Sequence, residues 1–132
     1  MTLRVNLVVP DRELWSGEAR TVIAKTTEGD IGVLTGHSPV FGILAEGSLV
    51  EIFPPEGSDS EPVRAAVSGG FLSVANDAVS VLAAEALLSG EVDVSAARQE
   101  LDVALSDRPA GEDETVEAKY ARARLRVAGE QV

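Results

Sequence analysis

Residues 3–9 read Leu3-Arg4-Val5-Asn6-Leu7-Val8-Val9, with Leu3, Val5, Leu7 and Val9 falling on alternate positions around Arg4 and Asn6. Side chains of a strand point to opposite faces with period two, so this stretch predicts a β-strand with one face in a core. The runs Val22–Ile23, Ile31–Leu34, Val40–Leu44, Val63–Val67, Phe71–Val74 and Val79–Leu82, and Leu49 and Ile52 around Glu51, continue the pattern. Between them lie Glu28-Gly29-Asp30, Gly36-His37-Ser38-Pro39, the Pro54–Asp59 stretch, Gly69-Gly70 and Asn76-Asp77, residue types that favour turns. Many short β-branched strands at this spacing predict an antiparallel sandwich or flattened barrel over residues 1–89.

The period changes near residue 90. Val94, Ala97, Leu101, Ala104 and Leu105 recur at helical spacing behind Asp93, a candidate N-cap, and predict one amphipathic helix. The piece 106–111, with Pro109 and Gly111, breaks it, and Val116, Tyr120, Ala123 and Val127 predict a second. Residues 90–132 therefore read as an antiparallel helical hairpin appended to an all-β domain.

Composition narrows the function. The chain has 132 residues and a formal net charge of −11, which disfavours general binding to nucleic acid or anionic lipid. It has no cysteine, so thiolate chemistry and Cys-ligated zinc are excluded. The longest stretch without a charge, Ile31–Ala45, is shorter than the roughly 20 residues that span a bilayer, and charges at Arg4, Asp11, Arg12 and Glu13 interrupt any signal-peptide core. A cytoplasmic protein is expected.

Catalytic motifs are missing. The two lysines, Lys25 and Lys119, each follow alanine, so no phosphate-binding Gly-Lys loop exists, and Gly-x-Ser-x-Gly is absent. The single histidine, His37, has no sequence-nominated nucleophile or carboxylate partner. Glu112-Asp113-Glu114 lacks the ligand spacing of a calcium loop and reads as solvated linker, so no metal site is assigned. Trp15 and Phe71 read as core or rim anchors rather than stacking platforms. Lys119, Arg122, Arg124 and Arg126 have two readings: they complement the helix dipole, or they form a patch for an acidic partner. A ligand-binding sandwich with a helical lid, and an enzyme, remain as rival classes.

Three ordered segments resemble the epsilon subunit of bacterial F-type ATP synthases. They are Val9-Pro10-Asp11-Arg12-Glu13-Leu14-Trp15-Ser16-Gly17-Glu18-Ala19, then Glu28-Gly29-Asp30-Ile31-Gly32-Val33-Leu34-Thr35-Gly36-His37-Ser38-Pro39, then Val67-Ser68-Gly69-Gly70-Phe71-Leu72-Ser73-Val74. The resemblance implies a non-catalytic central-stalk subunit, peripheral on the cytoplasmic face of the cell membrane, that couples the c-ring and gamma subunit to ATP synthesis. It implies loop contacts to the c-ring and gamma at Asp30, His37 and Ser38. It further implies that the hairpin lies beside the sandwich or extends along gamma, where Lys119, Arg122, Arg124 and Arg126 meet the beta subunit and restrain ATP hydrolysis. Only five residues follow Val127, which shortens the expected reach. Some members bind ATP between the helices through Ile/Leu-Asp-x-x-Arg-Ala. Here Asp93 is kept, alanine stands at the arginine position, and Arg98 lies two positions on, rotated roughly 200° about the helix. The expected cofactor set is therefore none, with ATP a weak regulatory ligand at Asp93 and Arg98.

Overall fold

A computed structural model describes residues 2–107, 111 and 113–131. Ten strands run in order: β1 (Leu3–Val9), β2 (Arg12–Ala19), β3 (Thr21–Thr26), β4 (Gly29–Val33), β5 (Val40–Leu44), β6 (Ser48–Phe53), β7 (Val63–Val67), β8 (Gly70–Ala75), β9 (Ala78–Ala83) and β10 (Ala86–Leu88). A single 3-10 turn, Ser89–Glu91, leads to α1 (Val94–Ser106) and α2 (Val116–Val127). The expected sandwich followed by two helices is what forms. The break predicted at Pro109 lies outside the described residues.

The strands make one sheet in the order β10-β7-β6-β3-β5-β8-β9-β1-β2, with β4 paired to β3. It folds over on itself so that alternate side chains, among them Leu3, Val5, Leu7, Val22, Leu44, Val50, Leu72 and Val81, enclose one core. Pairing is antiparallel except between β1 and β9, which run parallel in register Val5↔Val79. The Ser68-Gly69-Gly70-Phe71 piece has a steric reason: Gly70 has φ +146° and a Cβ there would stand 2.0 Å from Leu82 O. Only glycine lets β8 and β9 close at that point.

Two strands escape the hydropathy pattern. β2 carries Arg12, Glu13, Ser16 and Glu18 and forms by pairing with β1 along its length, with an irregularity at Leu7/Val8. Trp15 half-buries against the core from this strand, over Gly17, where a Cβ would meet its ring at 3.0 Å. The second, β10, spans three residues and pairs Ala86 with Val67.

The helices form for separable reasons. Asp93 caps α1 by accepting from the Ala96 N–H at 3.1 Å, and Thr115 caps α2 through the Ala118 N–H at 3.2 Å. The apolar stripe predicted for α1 buries Ala97 and Leu101 against Ala118, Ala121 and Leu125 of α2. The stripe predicted for α2 does something else: Tyr120, Ala123 and Val127 pack on Ala66, Leu49 and Val92, covering the outer face of β6 and β7. Thus α2 buries two faces, one toward α1 and one toward the sheet. Val116, placed in the stripe by its spacing, is exposed instead, at the first position of the helix.

Glu91 fastens the connection. Its carboxylate accepts from the Leu88 N–H at 3.0 Å and pairs with Arg12 at 3.0 Å. The Leu88 bond, aided by the Arg12 guanidinium, holds its pKa below the usual carboxylate value.

Two measurements check this packing. Leu72→Ala removes a fully buried side chain and is expected to cost about 2–5 kcal/mol in denaturant unfolding followed by Trp15 fluorescence, whereas Phe71→Ala on the opposite face costs far less. Tyr120 is the single tyrosine, and burial pushes its pKa from 10.0 to about 12. Because the folded value is raised, the docked hairpin keeps this contribution below pH 10 and loses it as the pH climbs from there toward 12. Tyrosinate absorbance should therefore rise near pH 12, and titration near 10 would place the ring in solvent.

Candidate functional site

The pleat that builds the core also sends Phe41, Ile43, Phe71 and Leu82 outward, where they are 66%, 54%, 45% and 47% exposed. The ladders set them side by side: Ile43 pairs with Phe71, Phe71 with Leu82, and Leu82 with Val8 of β1. Phe41 stacks diagonally on Phe71 with ring centroids 5.4 Å apart. Beside them a groove of ≈ 380 Å³ runs along Val8, Pro10, Phe71, Leu82 and Ala84. Burying each of these large side chains is worth roughly 1.5–3 kcal/mol, and so contiguous an apolar patch on an acidic chain marks an interface. Phe71 was expected as a core or rim anchor, and it is the centre of this outer face.

Sequence reasoning overlooked Phe41, Ile43 and Leu82 as site residues. The signal was present in Val40-Phe41-Gly42-Ile43-Leu44, a run without polar alternation in an antiparallel strand, which means that both faces want cover.

The loop leading into β5 borders the Phe41 end of this face. Gly36 N–H donates to Asp77 Oδ1 at 2.7 Å, tying the loop to the β8–β9 turn, and His37 N–H donates to Leu34 O at 3.1 Å. His37 Nδ1 donates to Ser38 O at 2.7 Å. Half-buried His37 and exposed Ser38 thus share one corner. Asp30 does not join them. It sits within β4, not in a loop, opposite Lys25 in the ladder, because the reversal is completed by Thr27 and Glu28. Its surroundings are a separate cleft of ≈ 290 Å³ lined by Lys25, Glu46, Gly47, Glu51 and Arg126.

The four bases of α2 point in different directions. Lys119 Nζ lies 3.4 Å from Glu46 of the β5–β6 turn. Arg122 forms a two-pronged pair with Glu114, its NH2 group donating at 2.7 Å, and this bond raises its pKa. Arg124 pairs with Glu100 of α1 and lies 4.6 Å over the Tyr120 ring, with its Nε buried and without a hydrogen-bond partner. Arg126 lines the cleft that holds Asp30. In this arrangement three of the four are paired with different internal acids and Arg126 faces the Asp30 cleft, so the series is not displayed as one patch.

Asp93 and Arg98 are also occupied locally. Asp93 is the cap of α1, and Arg98 donates to Glu130 beyond α2 at 2.8 Å. The larger cavity of the hairpin, ≈ 730 Å³, is lined by Glu85, Glu100, Asp107, Asp113 and Glu117 around Arg124, and neither Asp93 nor Arg98 reaches it. That surplus of carboxylates repels phosphate. Among the described residues no three His, Asp or Glu side chains converge as a metal site, and no helix is long and apolar enough to cross a membrane.

Comparison with known proteins agrees with this architecture. Residues 2–89 match the family described as ATP synthase, Delta/Epsilon chain, beta-sandwich domain. The ATP synthase epsilon chain of Thermobifida fusca is 50% identical over 126 residues, covering 95% of this chain and 89% of that one. That of Nocardia farcinica is 47% identical over 131 residues, covering 98% and 92%. Among solved structures, a chain of the Euglena gracilis mitochondrial ATP synthase aligns with TM-score 0.74 at 21% identity, over 97% of this chain and 79% of its own. A chain from the Tetrahymena thermophila mitochondrial ATP synthase central stalk and c-ring aligns at 0.56 and 18%, over 97% and 91%. With its sandwich matched end to end and relatives near half identity along most of its length, the chain belongs to the ATP synthase epsilon-chain family, a subunit of that enzyme other than the catalytic one.

Proposed function

We propose that this chain is a rotor subunit that docks on the gamma subunit through the Phe41, Ile43, Phe71 and Leu82 face. The single observation that supports the reading most is that face: four large apolar side chains in register on a sheet whose other outer face is covered by the chain's own helix. The adjoining His37–Ser38 corner and the separate Asp30 cleft are the contacts assigned to gamma and the c-ring. Residues 1–89 serve as the anchor and residues 90–132 as the regulatory part. The complex sits on the cytoplasmic face of the membrane, with this subunit peripheral.

In this reading the hairpin restrains ATP hydrolysis when it leaves the sandwich. Its pairs Lys119–Glu46 and Arg98–Glu130 are exposed, each worth about 0–1 kcal/mol, so an acidic segment of the beta subunit can replace them. Exchange of one carboxylate for another costs little. ATP as a weak regulatory ligand would compete for Asp93 and Arg98, which in the docked hairpin serve as the cap of α1 and the partner of Glu130.

The test is ATP hydrolysis by a head of alpha, beta and gamma subunits, titrated with this chain. The full chain should bind and slow turnover, and a chain ending at Gly90 should bind without slowing it. Inhibition should also weaken as salt screens the basic contacts. Phe71→Ser with Ile43→Ser, both on the outer face and uncharged, should weaken binding at least about a hundred-fold, two lost apolar anchors at 1.5–3 kcal/mol each, with unfolding little changed. Binding by the double variant equal to that of the natural chain would remove the face from the account.

A further inference from the structure

The hairpin comes closest to the backbone of the sandwich at a glycine. In the turn between β5 and β6, a Cβ at Gly47 would stand 2.4 Å from the carbonyl carbon and oxygen of Lys119 and 2.5 Å from its Cβ. Real Cβ atoms do not approach so closely, so the first turn of α2 rests directly on this glycine. The turn itself is held in place. Gly47 N–H donates to Ser68 O at 3.1 Å, Ser48 Oγ donates to Ala45 O at 2.7 Å, and Gly47 adopts φ +62°. Beside it, Glu46 reaches Lys119 Nζ at 3.4 Å.

Close approach matters here because the rest of the junction is small. The hairpin has its own core of Ala97, Leu101, Ala118, Ala121 and Leu125, distinct from the core inside the sheet. What joins the two is Ala66 with Tyr120, Ala123 and Val127, flanked by Leu49 and Val92. Alanines touch only when backbones come near, and dispersion contacts fall away steeply with a gap of even 0.5–1 Å. A side chain at position 47 would lift α2 by more than that at its first turn. The sandwich, whose core faces the other way, would not be disturbed.

We infer that Gly47 is the positioning residue for the hairpin: its missing side chain lets α2 seat on β6 and β7, and any Cβ there shifts the chain to an undocked hairpin on an intact sandwich. The seat lies beneath Lys119 and forms one wall of the cleft shared by Asp30 and Arg126, so hairpin position and the surroundings of Asp30 change together. The regulatory meaning of docking rests on the proposed brake, whereas the docking itself is a property of the isolated chain.

The experiment is limited trypsin digestion of the full chain, with cleavage after Lys119, Arg122, Arg124 and Arg126 followed by mass spectrometry and Trp15 fluorescence recorded in parallel. Gly47→Ala carries both the Cβ and the left-handed strain; Gly47→Asn carries the Cβ in a residue that tolerates that conformation. Gly57→Ala and Gly57→Asn are the controls, since Gly57 has φ +80° with nothing within 4 Å of a Cβ. Both variants at 47 should raise cleavage within α2 about ten-fold or more, the scale of an overpacked contact, with Trp15 emission and sandwich unfolding unchanged. Both variants at 57 should leave cleavage as it is. Natural cleavage rates in Gly47→Asn would overturn the inference. So would equal acceleration by the Gly57 variants, or loss of the Trp15 signal in Gly47→Asn, which would assign the glycine to the fold of the sandwich. Inhibition of the catalytic head by Gly47→Asn, measured separately, reports on the brake and not on the seat.

Discussion

Alternation along β5, β8 and β9 is the constraint on which the rest depends. Leu44, Leu72, Val74, Val79 and Val81 must enter the core, so Phe41, Ile43, Phe71 and Leu82 are forced to the opposite face by the pleat. A shift of register by one residue would exchange the two sets, and Gly70, with Leu82 O in the place of its Cβ, helps to pin the register. The same sheet, continued through β6 and β7, offers a second outer face at Leu49 and Ala66. One chain therefore carries two apolar exteriors, one covered by its own α2 and one left for a partner.

Different chemistry on the two exteriors suits different lifetimes of contact. Aromatic and branched side chains in a contiguous row favour a durable attachment, since few large anchors carry most of the energy of an interface. Alanines, a single tyrosine and exposed ion pairs favour a contact that can be given up. In the proposed reading the first exterior serves as an anchor that stays and the second belongs to an arm that detaches.

The sequence made the sandwich and the helix pair legible because period two and period 3.6 are strong in β1 and α1. β2 was hidden, since Arg12, Glu13, Ser16 and Glu18 leave no alternation, and its strand exists through pairing with β1. Thr115 as a cap and the stripe Ala118, Ala121 and Leu125 were hidden by Ala and Arg, which form helix without stating a face. Among the candidate site residues, Asp93 as N-cap and the His37–Ser38 loop were readable from local turn and cap chemistry. The separation of Asp30 from His37, and the ion pairs that divide Lys119, Arg122 and Arg124, were not. Those depend on which strands and helices become neighbours, and spacing along one chain carries no such information.

Hydroxyl-radical footprinting of the chain, free and assembled with alpha, beta and gamma subunits, shows whether the outer face of β5, β8 and β9 is the attachment. The account predicts that Phe41 and Phe71, both reactive in the free chain, become protected together on assembly, while exposed Val103 on α1 keeps its reactivity until the hairpin moves. Stable assembly with Phe41 and Phe71 as reactive as before would place the attachment elsewhere on the molecule and contradict it.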